Sequence, residues 1–127
     1  MAENEIAKHV VDAAYRVHKC LGPGLLESVY EAVLAYELES RGLRVVRQQA
    51  LPVVYGGARI EIGYRADLIV EELVMVEIKS VETVAPVHHK QLLTYLRLSG
   101  KRLGLLINFN HVLIKDGITR IANGLTP

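Results

Sequence analysis

Three ionisable residues, Asp67, Glu77 and Lys79, lie in one short and otherwise apolar segment of the chain, DLIVEELVMVEIK. Asp67 comes five residues before Glu72 and Glu77 comes five after it, so a hairpin that turns near Glu71 and Glu72 places the two carboxylates roughly opposite each other. Side chains two apart on a strand share a face, which puts Glu77 and Lys79 together. An unpaired buried charge is costly, so these groups need one another, water or a metal ion.

Two carboxylates are ligands of the type that a hard divalent cation prefers. Mg²⁺ binds carboxylate oxygens and keeps several water molecules, which leaves positions for a phosphate oxygen and an attacking water. A lysine beside the ion, here Lys79, can help to deprotonate or orient that water and stabilise the negative charge that develops at phosphorus. The other interpretation is structural: Glu77 and Lys79 form a buried ion pair while Asp67 faces solvent. The three residues alone favour neither interpretation.

Two predicted helices carry polar side chains that could support such a site. Gln91 and Tyr95 lie four apart on the third predicted helix and therefore share a face. Glu27 and Tyr30 lie three apart on the second predicted helix, and so are also neighbours. Each residue also has an ordinary structural explanation, because a helix dipole favours an acidic first turn and polar side chains often lie at the edge of a core.

The spacing of apolar residues predicts the elements that must position these side chains. Spacings of three and four predict helices over Asn4 to Cys20, with Asn4 as the N-cap, over Leu25 to Arg41, and from Pro86 to about Gly100. Runs rich in β-branched residues predict strands at Val45-Val46, Leu51 to Tyr55, Ala58 to Glu71, Leu73 to Lys79, Leu103 to Asn108, His111 to Lys115 and Ile118 to Ile121.

Glycines mark the predicted turns between these strands. Gly56-Gly57 and Asp116-Gly117 are typical of two-residue hairpins, and Gly63 predicts a bend or a bulge in the longest strand. The order of helices and strands predicts one α/β domain over residues 1–127, with a mixed central sheet flanked by helices.

Composition and short motifs exclude several classes of protein. With 127 residues, 50% of them hydrophobic, the chain fits one soluble globular domain, and no apolar run approaches the roughly 18 to 20 residues that cross a bilayer. A single cysteine, Cys20, and an acidic first segment unlike a signal peptide predict a cytoplasmic protein without membrane association, with Cys20 as a buried or inert thiol. No zinc-protease or phosphate-loop motif is present.

The net charge of +1 does not show the basic surplus that is typical of nucleic-acid-binding proteins. The distribution is uneven, however: residues 81–127 carry six Lys or Arg against two Asp or Glu. This surplus weakly indicates an anionic partner, and taken alone it favours the other explanation, a solvated charged face.

The chain also resembles a known family. The run Gly24-Leu25-Leu26-Glu27-Ser28-Val29-Tyr30 matches the motif after which the GxxExxY protein family is named. Asp67 followed by Glu77-Ile78-Lys79 matches the signature of the PD-(D/E)XK nuclease superfamily, to which that family belongs. Ala66 stands where the superfamily's name has proline, a position on which no chemistry depends. Further similar blocks are Val17-His18, Gly63 to Asp67, His88 to Tyr95 and Gly104 to Phe109.

The resemblance implies a restriction-endonuclease-like core with a metal site on its central hairpin. It implies that Asp67 and Glu77 bind the metal and that Lys79 is the catalytic lysine. Glu27 resembles an additional metal-binding carboxylate on a helix, and Gln91 a glutamine that supports the site. The remaining two residues that the resemblance assigns, as supporting residues or substrate contacts, are Tyr30 and Tyr95.

We therefore predict a Mg²⁺- or Mn²⁺-dependent nuclease that hydrolyses phosphodiester bonds of nucleic acid, with DNA as the favoured substrate. Cutting both strands of a duplex with so small a domain favours a homodimer. The alternative is a non-catalytic nucleic-acid- or protein-binding module that retains the nuclease fold, which the small size and modest charge of the chain would suit.

Overall fold

Three helices and five strands make up the computed structural model, which describes residues 1–125, Ile62 by its backbone alone. The helices are α1 (Glu3–Leu21), α2 (Glu27–Ser40) and α3 (Pro86–Ser99). The strands are β1 (Val45–Tyr55), β2 (Ala58–Val70), β3 (Val74–Lys79), β4 (Leu103–Asn108) and β5 (Ile118–Ala122), with a short 3-10 helix at Ile114–Gly117. No helix in this described part is long and apolar enough to cross a membrane.

The five strands form one mixed sheet in the order β1-β2-β3-β4-β5. β3 and β4 are parallel, and the other three neighbouring pairs are antiparallel. α3 connects β3 to β4, since a parallel pair needs a crossover connection. Every residue of β4 is buried, as its continuous apolar run predicts. The predicted α/β fold with a restriction-endonuclease-like core is confirmed.

The two faces of the sheet are covered by different helices. α1 and α2 pack on the face that carries Val74, Val76 and Ile78 of β3. α3 packs on the opposite face, where Leu92 and Leu96 contact a cluster that includes Met75. Because strand side chains alternate, the odd-numbered residues of β3 that follow Met75 belong to the α3 face.

β1 and β2 form a long hairpin whose turn is the predicted one. Gly56 and Gly57 have φ values of 57° and 81°, the left-handed conformation that a two-residue turn of this kind requires. The predicted irregularity at Gly63 is present as a bulge: the pairing shifts register between Leu51 and Val53, and a Cβ on Gly63 would lie 1.9 Å from the carbonyl oxygen of Leu51. β1 is continuous, so the predicted separation of Val45-Val46 from the next strand was wrong.

Three predictions about local backbone structure were also wrong, and the single thiol is not buried. α1 begins at Glu3 with Ala2 as its N-cap, and the Asn4 side chain instead accepts a hydrogen bond from Arg120. Asp116-Gly117 ends the 3-10 helix instead of forming a hairpin turn, and the predicted strand His111 to Lys115 is absent from the described residues. Cys20 is an exposed free thiol.

The error at residues 111–117 has a packing cause. Ile114 is buried against α1 in the main core, which a surface hairpin would not allow. Gly117 lies so close to the chain that a Cβ would come within 2.2 Å of the carbonyl oxygen of Asn108. β5 then pairs directly with β4, so the segment that connects the two strands turns closely around the end of β4.

Candidate active site

The β2–β3 hairpin has the predicted turn and opens at its far end. Glu71 and Glu72 form the turn, with φ values of 52° and 61°. Backbone pairing between the two strands runs from Val70↔Val74 to Leu68↔Val76. Beyond that last pair, at Asp67 and Glu77, the two strands are no longer joined by a regular ladder of backbone hydrogen bonds.

Asp67 lies at the point where the strands separate. Its Oδ2 accepts a hydrogen bond from the backbone N–H of Ile78 at 2.8 Å. A side-chain carboxylate thus satisfies a strand N–H beyond the last β2–β3 pair, where the neighbouring strand no longer supplies a carbonyl. This bond holds one oxygen of the Asp67 carboxylate against β3.

Glu77 is the carboxylate that burial affects most. Its Oε1 is buried and receives no hydrogen bond from residues 1–125. The pKa of Glu77 is raised to about 9, mainly by burial and secondly by the negative charge of Asp67, while the positive charge of Lys79 partly opposes both effects. Glu77 therefore holds a proton at neutral pH unless a positive charge arrives to replace it.

Lys79 ends β3 on the same face as Glu77, and the chain around it is fixed. Its carbonyl accepts a hydrogen bond from the Phe109 N–H at 2.9 Å. The fully buried amide of Asn108 both accepts from and donates to the backbone of Val81. These bonds hold the end of the parallel β3–β4 pair, so Lys79 projects from a rigid element.

Tyr95 of α3 lies beside the carboxylates. Its ring stacks on Tyr64 of β2 with centroids 4.2 Å apart, and the Tyr64 hydroxyl donates to the Tyr95 carbonyl. Burial, and then the negative charge of Glu77, raise the pKa of Tyr95. Gln91 is exposed one helical turn earlier, and no hydrogen bond joins it to the carboxylates within residues 1–125.

Glu27 is exposed in the first turn of α2, and it touches the site from the other face of the sheet. Its Oε2 accepts a hydrogen bond from the Ser80 N–H at 3.3 Å, immediately after Lys79. Glu27 also lines a cavity of about 250 Å³ together with Ser28, Glu31, Gln48, Asp67 and Ile78. The structure therefore brings Glu27 near Asp67, with its carboxylate bound to the β3 end.

Tyr30 is fully buried, so of the two roles predicted for it, supporting residue or substrate contact, its position is compatible with the supporting one. Its ring stacks on Phe109 with centroids 4.5 Å apart. Its hydroxyl donates to the carbonyl of Gly22 and accepts from the N–H of Leu25. Tyr30 thus fixes the glycine turn that precedes Glu27.

Sequence reasoning missed a set of polar residues that meets Asp67 from α2 and β1. Glu31 is buried, and its Oε2 accepts a hydrogen bond from Arg47 at 3.1 Å. The Gln48 amide donates to Glu31 Oε1 and also to Asp67 Oδ1, the latter at 3.0 Å. The signal for Glu31 was present, because it lies four residues after Glu27 on the same helix face.

The predicted metal ligands are only partly assembled. Asp67 and Glu77 are close enough to hydrogen-bond when Glu77 is protonated. In the part of the chain that the structure describes, no group of three His, Cys, Asp or Glu side chains is arranged to hold a metal ion. The donor chemistry nevertheless fits a hard cation, since a buried carboxylate oxygen without a hydrogen bond faces a second carboxylate.

Comparison with protein families identifies the class to which this fold and site belong. The family model of the PD-(D/E)XK nuclease superfamily matches residues 4–121, nearly the whole chain. The chain therefore belongs to the PD-(D/E)XK nuclease superfamily, whose nucleases generally use divalent metal ions. No curated protein and no solved structure was found to match the chain.

Proposed function

We propose that this chain is a Mg²⁺- or Mn²⁺-dependent nuclease of the GxxExxY family that hydrolyses phosphodiester bonds of DNA. The observation that carries the proposal is the buried Glu77 carboxyl, whose Oε1 receives no hydrogen bond and which lies beside Asp67. Such an arrangement is costly for the folded protein alone. Asp67 and Glu77 would together hold a divalent cation, whose charge would stabilise the Glu77 carboxylate in place of its proton.

The residues around the carboxylates have distinct roles in this proposal. Asp67 and Glu77 hold the metal, and Glu27 adds a carboxylate from α2. A bound divalent ion supplies Lewis-acid activation of water and neutralises phosphate charge. Lys79 orients the water and stabilises the negative charge that develops on the phosphate. Gln91 and Tyr95 do not bind the metal in this proposal; they support the site from α3.

Charge and chemistry support DNA as the substrate. If Glu27, Asp67 and Glu77 are metal ligands, 11 of the 14 acidic residues remain against 15 basic residues. DNA lacks the 2′-hydroxyl that can attack the phosphate in RNA, so its hydrolysis depends on an activated water of the kind this site would supply. One site cuts one strand at a time, and we therefore propose a homodimer for cleavage of both strands.

Cleavage assays test this proposal. The purified chain is incubated with duplex DNA, single-stranded DNA and RNA, in Mg²⁺ or Mn²⁺ and in EDTA. We expect metal-dependent cleavage of DNA that Asp67→Ala abolishes and that Lys79→Ala reduces about 10²-fold or more. Lys8→Ala and Glu39→Ala, which replace exposed charges on α1 and α2, should cleave normally. Absence of metal-dependent cleavage, or cleavage that survives Asp67→Ala, would contradict the proposal.

A second candidate function is a non-catalytic binding module that keeps the nuclease fold. One observation favours it: among residues 1–125, three potential ligands do not converge on one point. This candidate predicts binding of nucleic acid or a partner protein without binding of a divalent metal. Calorimetry with Mn²⁺ and with DNA separates the two functions, because only the nuclease binds the metal.

A further inference from the structure

Gln48 has an unusual backbone conformation at a specific point of β1. The pairs Arg47↔Leu68 and Gln49↔Ala66 flank it, so Gln48 stands opposite Asp67 between them. Its φ is 51°, in the left-handed region that residues other than glycine rarely adopt. The Arg65 side chain donates a hydrogen bond to the Gln48 carbonyl at 3.1 Å, which helps to hold this conformation.

The side chain of Gln48 joins two carboxylates. Its amide nitrogen donates to Glu31 Oε1 and to Asp67 Oδ1. These two acceptors match the two hydrogens of the amide. Because carboxylates only accept hydrogen bonds, the reversed amide would place its oxygen against both of them, so the amide has one favourable orientation.

Both neighbours of this amide are themselves fixed. Glu31 is buried and bound by Arg47, which makes it a stationary anchor. Asp67 is bound at Oδ2 by the Ile78 N–H and at Oδ1 by Gln48. One hydrogen bond to each oxygen prevents rotation of the carboxylate, yet each oxygen keeps a free lone pair.

We propose that Gln48 is a positioning residue: anchored on the Glu31–Arg47 pair, its amide holds Asp67 in the orientation in which that carboxylate binds the metal. The metal part of this inference rests on the proposed function. The strained backbone is consistent with it, because a left-handed conformation persists where surrounding contacts enforce it, and such sites concentrate at functional centres.

The strain makes a discriminating variant available. Gln48→Gly removes the amide but also relieves the backbone, since glycine adopts positive φ without steric cost. We expect its stability to urea to stay close to that of the wild type, because relief of the strained backbone offsets the loss of the two hydrogen bonds. Because Gln48 no longer holds the Asp67 carboxylate, the hydrogen bond from the Ile78 N–H to Asp67 should weaken, and this N–H should exchange with solvent about tenfold faster. Mn²⁺ affinity should fall about 10- to 100-fold, as is typical for loss of a residue that orients a ligand.

A matched control replaces the next residue along the strand. Gln49→Gly makes the same substitution where the backbone is ordinary, and should lower stability while leaving Mn²⁺ affinity and Ile78 exchange near wild type. A purely structural role for Gln48 predicts the reverse for Gln48→Gly: lower stability, with Mn²⁺ affinity unchanged in the folded fraction. Unchanged Ile78 exchange and Mn²⁺ affinity in Gln48→Gly would overturn the inference.

A second variant and a second readout keep the test decisive. If Gln48→Gly does not fold, Gln48→Asn keeps an amide and tolerates the left-handed backbone, but is one methylene too short to reach both carboxylates. We expect the same faster Ile78 exchange, and wild-type exchange would overturn the inference. If the wild type binds no Mn²⁺, the proposed nuclease function fails, while Ile78 exchange still decides whether Gln48 positions Asp67.

Discussion

The two ends of the β2–β3 hairpin differ sharply although they belong to the same two strands. At the turn end, Val70 pairs with Val74, and Leu68 pairs with Val76; all four side chains are fully buried. At the open end, Asp67 lies beyond the last backbone pair of β2 and β3, and its side chain accepts a hydrogen bond from the Ile78 N–H. A few residues therefore separate a segment that stabilises the fold from one whose groups are costly to bury.

The two ends differ because folding removes apolar side chains from water at one end and a carboxyl group at the other. Apolar side chains gain free energy on burial, so the turn end drives folding. A carboxyl group loses hydration, which is why the pKa of Glu77 rises to about 9. Substitutions at the turn end should therefore affect stability, and substitutions at the open end should affect activity and its pH dependence.

The largest effect is expected at the paired end. Leu68→Ala removes a fully buried side chain from the main core, and should lower the free energy of unfolding by about 2–5 kcal/mol. Urea unfolding followed by circular dichroism measures it. Ile60→Ala, on the exposed part of the same strand, should change stability by less than about 1 kcal/mol. A similar loss in both variants would remove the distinction between the buried and exposed parts of β2.

The next effect is expected at the open end and in a different quantity. Lys79→Ala should reduce kcat for DNA cleavage about 10²- to 10³-fold, because a positioned positive charge is lost from the transition state. Its free energy of unfolding should stay within about 0.5 kcal/mol of wild type. Lys8→Ala is the control for loss of an exposed lysine. A stability loss that accounts for all of the lost activity would assign Lys79 to the fold instead.

A smaller effect is expected in the pH dependence of stability without metal. The folded protein keeps a proton on Glu77 up to pH about 9, whereas the unfolded chain loses it near 4.5. Stability from this group is therefore fully present below pH 4.5 and is lost as pH rises towards 9, by at most about 1 kcal/mol per pH unit.

Glu77→Gln should remove this slope and be more stable than wild type at pH 8. Urea unfolding in EDTA between pH 5 and pH 8 measures the slope, and Glu39→Gln provides the exposed control. If wild type and Glu77→Gln show the same pH dependence, Glu77 is not the protonated group.

The open end could be predicted because local rules decide its geometry. The turn at Glu71 and Glu72 lies midway between Asp67 and Glu77, and the period of two along a strand places Glu77 with Lys79. The same local reasoning failed at Asp116-Gly117. This dipeptide is typical of hairpins, but here Gly117 allows the chain to pass close to the carbonyl oxygen of Asn108. Tertiary contacts with other segments determine the conformation there, and a dipeptide pattern carries no information about those contacts.

The link between Gln48 and the two carboxylates could not be predicted either. Gln48 contacts Glu31 and Asp67 from 17 and 19 residues away, through a left-handed backbone that a glutamine does not signal. Tyr30 shows the same limit, because its motif predicts a site residue but not that the ring is buried. The sequence pattern indicates which residues belong near the site, and tertiary packing determines which of them reach it.

The central claim is that Asp67 and the protonated Glu77 together bind a divalent cation. Calorimetric titration with Mn²⁺ at pH 7, in two buffers that differ in heat of ionisation, tests it directly because it counts the protons released. We expect binding to release about one proton from Glu77, affinity to rise with pH, and Glu77→Gln and Asp67→Asn to abolish both signals. Absence of Mn²⁺ binding, or binding without proton release that persists in both variants, would contradict it.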